Sequence, residues 1–94
     1  MIEAVLKITN PTGLHARPAA QFVQTAANYR SKVTIKGNNK TADAKSILAV
    51  MSMGLNRGTE ITVTVDGEDE KDCLQALVAL IEGNFGEGRV ADHG

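Results

Sequence analysis

The sequence alternates most strictly at Glu60-Ile61-Thr62-Val63-Thr64-Val65, where every apolar side chain is flanked by polar ones. A period of two places the apolar residues on one side of an extended chain, so the segment predicts a half-buried β-strand. Asp66-Gly67 follows directly and is typical of the turn that ends such a strand. The strand is therefore expected in a sheet that has one packed face and one face in solvent.

Weaker alternation in three other places predicts the rest of the sheet. Residues 2–8 alternate and end at a turn that contains Pro11 and Gly13. Residues 32–36 alternate as well, and the turn Gly37-Asn38-Asn39 leads from them into a short second arm at residues 40–43. These last segments predict a β-hairpin.

Three segments have the helical period instead. Pro18 fits the helix at residues 16–27 only in its first turn, so that helix begins close to His15 or Ala16. Residues 46–53 predict a helix of about two turns with Ser46 as its N-cap. Residues 69–82 predict a longer helix, and its dipole explains the acidic cluster Glu68-Asp69-Glu70 at its start. The expected buried positions are Ala19, Phe22, Val23 and Ala26 in the first helix, and Leu74, Leu77, Val78 and Ile81 in the last.

The order β-α-β-β-α-β-α predicts an α+β domain of two layers, in which helices cover one face of a mainly antiparallel sheet. The 94 residues allow one domain, expected at residues 1–85, followed by a flexible tail at residues 86–94. A single cysteine, Cys73, excludes an internal disulfide and favours a reducing compartment. We expect Cys73 to be a small core residue, and His93, in the tail, to be solvated.

The composition argues against several classes of protein. Ten Lys and Arg against eleven Asp and Glu, with 3% aromatic residues, oppose a nucleic-acid-binding function. No apolar run approaches the ~18 residues of a membrane span, and the first residues lack the features of a signal peptide. The two histidines and the cysteine lie too far apart in sequence to form a metal set. We therefore expect a cytoplasmic monomer without metal or cofactor.

One histidine has chemically specific surroundings, because His15 lies between the turn at Gly13 and the start of the first helix. The free amides of Ala16 and Arg17 and the helix dipole favour an anion at this point. The Arg17 guanidinium matches a phosphoryl group, and the Thr12 hydroxyl can donate a further hydrogen bond. The same positive field favours a neutral imidazole, which can attack phosphorus. On position alone, such a histidine is about as often an unused surface residue.

The predicted short helix is apolar almost all round, although it covers only one side of a sheet. Some of Ile47, Leu48 and Met51 are therefore expected in an exposed apolar patch of the kind that binds other proteins. Methionine suits a surface that must accept several partners, and Ala20 of the first helix is expected in the same surface. The alternative is that these side chains fill the core.

Two motifs resemble those of HPr, the histidine-containing phosphocarrier family of the bacterial sugar phosphotransferase system. They are Gly13-Leu14-His15-Ala16-Arg17-Pro18-Ala19 and Lys45-Ser46-Ile47-Leu48-Ala49-Val50-Met51-Ser52-Met53-Gly54. The resemblance implies an open-faced β-sandwich, with a four-stranded antiparallel sheet in the order 1-4-2-3 and three helices on one face.

The resemblance also implies a function. Enzyme I would phosphorylate His15 on Nδ1 with phosphoenolpyruvate as the source, and the phosphoryl group would pass to the IIA domain of a sugar permease. The protein would then be a carrier and not an enzyme with turnover of its own. Ser46 matches the serine that a dedicated kinase, the HPr kinase/phosphorylase, modifies in some members, which links it to a catabolite-control transcription regulator.

Two other interpretations stay open at this stage. The chain resembles regulatory members of the same fold, either a catabolite-repression co-regulator or a paralogue in a nitrogen-related relay. The co-regulator role needs Ser46 and not His15, so the presence of His15 favours carriage. A small hydrolase with a phosphohistidine intermediate would need a second acid or base near His15, and the neighbouring sequence offers none.

Overall fold

The four predicted strands form one antiparallel sheet in the computed structural model, which describes residues 1–86 of the chain. The order across the sheet is β1-β4-β2-β3, as the resemblance implied, so β4 lies between β1 and β2. In the register of the central pairs, Val63 of β4 is opposite Ala4 of β1 on one side and Ile35 of β2 on the other. The strands are Ile2–Lys7 (β1), Lys32–Gly37 (β2), Lys40–Asp43 (β3) and Glu60–Asp66 (β4).

Two helices connect strands and a third follows the last strand, in the predicted order. They are Ala16–Ala27 (α1), Ile47–Ser52 (α2) and Glu70–Glu82 (α3), and a 3₁₀ turn at Asn84–Gly86 follows. None of the helices within residues 1–86 is long and apolar enough to cross a membrane. Residues 87–94, which include His93 and most of the predicted tail, lie outside the described residues, so the boundary expected at residue 85 stays a prediction.

The core lies between one face of the sheet and the helices. Ile61, Val63 and Val65 are buried while the alternate residues of β4 face outward, which confirms the period-two prediction. Phe22 of α1 and Leu77 of α3 are fully buried opposite them.

The buried stripe of α3 agrees with the prediction at two of its four positions and differs at the other two. Cys73, Leu77 and Ile81 are its buried residues, whereas Leu74 and Val78 are only half-buried. The i, i+4, i+8 row therefore faces the sheet, so Leu77 and Ile81 are buried as expected while Leu74 and Val78 lie beside that row. In α1, Ala19, Phe22 and Ala26 are buried as expected, whereas Val23 is only half-buried. Cys73 is a core residue, as expected.

The carboxylate of Asp69 does not cap α3, although the acidic cluster was explained by the dipole of that helix. Asp69 is the N-cap residue of α3, but its side chain makes no capping hydrogen bond. It accepts hydrogen bonds from the backbone N–H groups of Arg30 and Ser31 at 2.9 and 3.0 Å, and from the Ser31 hydroxyl. Asp69 thus ties the turn after α1 to the start of α3, a contact over 38 residues that local sequence does not reveal.

We expect Asp69 to make stability depend on pH. The Ser31 hydroxyl and the Arg30 amide hold the pKa of the Asp69 carboxyl below its usual range. A carboxyl whose pKa is lower in the folded state stabilises the fold above its unfolded pKa of about 3.9, and loses this effect as the pH falls through the folded value. Asp69→Asn should therefore lower the free energy of unfolding at pH 7. Urea denaturation at several pH values should show that the difference in free energy of unfolding between the parent and Asp69→Asn shrinks below about pH 4. A difference that stays constant with pH would contradict a lowered pKa at Asp69.

Candidate functional site

His15 is the N-cap residue of α1, and its ring is exposed. Its backbone is extended and its carbonyl oxygen accepts the first helical hydrogen bond, from the Ala19 N–H at 3.3 Å. No side chain caps the helix. Because Pro18 has no N–H group, the first turn offers the amides of Ala16 and Arg17, for which residues 1–86 supply no acceptor. The helix start is therefore an open set of donors beside the ring.

The backbone directly after the ring is strained. Ala16 has a φ of +32°, although it carries a Cβ atom. A non-glycine residue in this region costs of order 1–3 kcal/mol, and such residues cluster at functional sites. The surrounding contacts must hold Ala16 in place.

Those contacts come from the loop between α2 and β4. The Leu14 N–H donates to the Leu55 carbonyl at 2.7 Å, and both side chains are fully buried. On the far side of the loop the Ile8 N–H donates to the Thr59 carbonyl at 2.9 Å, and the Gly58 N–H donates to the Ile8 carbonyl at 2.6 Å. The loop that carries His15 is thus fixed at both ends to a segment more than 40 residues later.

This second loop places Asn56 against the histidine. The distance between His15 Nε2 and Asn56 Oδ1 is 2.9 Å, which is a normal hydrogen-bond length. The sequence reasoning did not single out Asn56, because an asparagine between Gly54 and Gly58 indicates only a turn. No local pattern could have found it, since the contact depends on how the two loops pair.

The predicted neighbours of His15 lie at the same end of α1. Arg17 is exposed one residue into the helix, and within residues 1–86 its guanidinium has no carboxylate partner. Thr12 is exposed in the loop before the helix. Arg57, which follows Asn56 directly in the chain, is a further exposed basic residue.

Ser46 is the N-cap residue of α2, as the sequence predicted. Its hydroxyl oxygen accepts a hydrogen bond from the Ala49 N–H at 3.4 Å, and the residue is half-buried. The neighbouring Lys45 ammonium donates to the Tyr29 carbonyl at 2.8 Å, which ties the start of α2 to the end of α1.

The apolar residues of α2 divide between core and surface. Val50 is buried in the helix and Met53 just after it, whereas Leu48 is 76% exposed, Met51 39% and Ile47 38%. The predicted apolar patch is therefore present: Ile47, Leu48 and Met51 form what we call the α2 patch. The helix α2 packs against α1, which begins directly after His15, and Ala20 of α1 is half-buried.

Cys73 is the remaining candidate within residues 1–86, and it is buried. Burial raises the pKa of the Cys73 thiol, which keeps it protonated and unreactive. Within residues 1–86 no group of three His, Cys, Asp or Glu side chains could hold a metal ion.

Comparison with known proteins agrees with this geometry. Residues 2–83 match the family model described as the PTS HPr component phosphorylation site. The phosphocarrier protein HPr of Xylella fastidiosa is 44% identical over 87 residues, which cover 93% of this chain and 98% of that protein.

Solved structures give the same result. The crystal structure of HPr-C-His from Thermoanaerobacter tengcongensis superposes with a TM-score of 0.90 at 47% identity, and covers 93% of this chain and 98% of that one. Crh, the Bacillus subtilis catabolite repression HPr, has a TM-score of 0.63 at 40% identity, over 85% and 95% of the two chains. The chain therefore belongs to the HPr family of phosphocarrier proteins.

Proposed function

We propose that the protein is a cytoplasmic, monomeric phosphocarrier that accepts a phosphoryl group from phospho-enzyme I on His15 and passes it to the IIA domain of a sugar permease. The observation that carries the proposal is the exposed His15 ring at an uncapped helix start. An exposed ring can be reached by two larger proteins in turn, which a carrier requires and a closed active site would prevent.

The chemistry follows from the groups around the ring. A lone pair of the imidazole forms a bond to phosphorus while the bond to the donor breaks and its electron pair stays with the donor. The groups that can donate to the phosphoryl oxygens are the amides of Ala16 and Arg17, the Arg17 guanidinium and the Thr12 hydroxyl. In the return step the phosphoryl group moves to the acceptor, and the histidine recovers its lone pair.

The α2 patch together with Ala20 is the proposed docking surface for both partners. Its exposed aliphatic and thioether side chains can adapt to surfaces of different shape. Arg17 and Arg57 are exposed basic groups on the loops and helix start that carry His15 and Asn56, so an acidic partner surface fits best.

The test is phosphorylation of the purified chain by enzyme I and phosphoenolpyruvate. We expect one phosphate per chain that is labile in acid and stable in base, as a phosphohistidine is. Subsequent addition of a IIA domain should remove it. A chain that is phosphorylated only by the donor of a nitrogen-related relay would belong to that relay, and a chain that neither donor phosphorylates would contradict the proposal.

Ser46 is the proposed regulatory site, with the HPr kinase/phosphorylase and a catabolite-control transcription regulator as partners. The similarity to the Bacillus subtilis catabolite repression HPr supports this second role on the same chain. A phosphate at Ser46 is tolerated by the start of α2, but it adds negative charge beside the docking surface.

We expect Ser46→Asp to slow phosphorylation of His15 by enzyme I about tenfold or more, because the added carboxylate repels an acidic partner and the incoming phosphoryl group. The measurement is the initial rate of phosphate incorporation. Ser46→Ala is the matched control, since it removes the cap at a cost of ~1 kcal/mol without adding charge. Equal slowing in both variants would assign the effect to the loss of the serine hydroxyl and contradict regulation by charge.

A further inference from the structure

We propose that Asn56 is a positioning residue that holds the proton of His15 on Nε2 and so leaves the lone pair on Nδ1. The observation is the 2.9 Å distance between His15 Nε2 and Asn56 Oδ1. An amide oxygen only accepts hydrogen bonds, so the Nε2 atom facing it must carry the hydrogen. A neutral imidazole has one protonated nitrogen, and Nδ1 is then the nucleophile. The inference rests on the proposed carrier function and deepens it.

The backbone on both sides holds Asn56 in this position. Its own carbonyl accepts a hydrogen bond from the Thr59 N–H at 3.0 Å, and the carbonyl of the preceding Leu55 accepts from Leu14 at 2.7 Å. From the β2–β3 turn, the Asn38 amide donates to the carbonyls of Met53 and Gly54 at 3.1 and 2.9 Å. None of these contacts uses the Asn56 side chain, which is therefore free to serve the ring.

The contact matters most once the phosphoryl group has arrived. The Nδ1 lone pair forms the N–P bond, the bond between phosphorus and the donor breaks with its electrons staying on the donor, and the proton on Nε2 does not move. The ring gains one positive charge in this step. Its Nε2–H then donates a charge-assisted hydrogen bond to Asn56, which is roughly twice as strong as the neutral one. Asn56 therefore stabilises the phosphorylated carrier more than the free one.

The first experiment is ¹⁵N NMR of the histidine rings in the full chain without any partner. At about pH 8.5, where an ordinary imidazole is neutral, the shifts of Nδ1 and Nε2 report which nitrogen carries the proton. We expect His15 to be protonated on Nε2, and Asn56→Ala to lower the ratio of the Nε2–H to the Nδ1–H tautomer about fivefold. Asn56→Asp keeps an oxygen acceptor at the same place and should retain the parent tautomer. Asn28→Ala is the matched control, because the same change is made at the exposed far end of α1.

The second experiment measures the equilibrium of phosphoryl transfer between enzyme I and the same variants. Asn56→Ala should lower the equilibrium constant for transfer from enzyme I to the carrier about tenfold, because the charge-assisted hydrogen bond is lost. Asn28→Ala should leave this constant at the parent value. Two results would overturn the role of Asn56. One is that His15 of the parent protein carries its proton on Nδ1. The other is that Asn56→Ala changes neither the tautomer ratio nor the transfer equilibrium. Failure of the carrier function would look different: the parent chain would take up no phosphate, although its His15 was protonated on Nε2 as expected.

Discussion

His15→Ala should reduce acid-labile phosphate incorporation to the level of a reaction without carrier. No other group in residues 1–86 combines a nucleophilic nitrogen with the open amides of a helix start. The variant should fold normally, because the His15 side chain is exposed and caps nothing. The measurement is phosphate bound per chain after incubation with enzyme I and phosphoenolpyruvate, with circular dichroism as the check on folding.

The chain supplies its own control, since it contains two histidines. His93→Ala removes the other imidazole and should leave phosphate incorporation unchanged. If phosphate incorporation survived His15→Ala but not His93→Ala, His93 would be the phosphorylated residue and the assignment to His15 would be wrong.

Arg17→Ala should have an intermediate effect on phosphoryl transfer. It removes one donor to the phosphoryl oxygens and keeps the nucleophile, so we expect transfer to slow about tenfold to a hundredfold without being abolished.

The second large effect is on stability, and we expect Gly13→Ala to lower the free energy of unfolding by about 3 kcal/mol or more. Gly13 has a φ of +68°, and a Cβ atom there would lie 2.5 Å from the Leu55 carbonyl oxygen. That oxygen must move, although it accepts the hydrogen bond from the buried Leu14 amide. The variant therefore combines backbone strain with an unsatisfied buried N–H, and chemical denaturation measures the sum.

Gly54→Ala separates these two causes. Gly54 has nearly the same φ, +65°, but a Cβ atom there would meet nothing within 4 Å. Gly54→Ala should therefore lower the free energy of unfolding only by the strain of the left-handed backbone, about 1 kcal/mol. Similar losses in the two variants would show that the contact between Gly13 and the Leu55 carbonyl adds nothing to the cost of backbone strain.

The sequence predicted those parts of the fold that depend on local periodicity. Strict alternation identified β4, and the turn Asn38-Asn39, with positive φ at both residues, closed the predicted hairpin. Pro18 located the start of α1 to within one residue, and with it the candidate histidine. Each of these signals involves residues that are neighbours in the chain.

The contacts that hold the site together were not predictable in this way. Asn56 reaches His15 across 41 residues, and Asp69 binds Ser31 across 38. Both side chains had an adequate local explanation, one as a turn residue and the other as complement to a helix dipole. The half-burial of Leu74 and Val78 in α3 has a related cause, because tertiary packing decides which row of the helix faces the sheet. Tertiary pairing, which a single sequence does not encode as a pattern, determined all three.

The absence of a closed cavity around His15 within residues 1–86 also constrains kinetics. A 10.0 kDa carrier that reacts at the exposed His15 ring, as proposed, accommodates one large protein at that ring at a time. Donor and acceptor complexes must then exclude each other, so steady-state flux should follow a ping-pong rate law. An excess of the unphosphorylated acceptor would bind the unphosphorylated carrier and keep it from the donor. The acceptor would thereby slow its own phosphorylation.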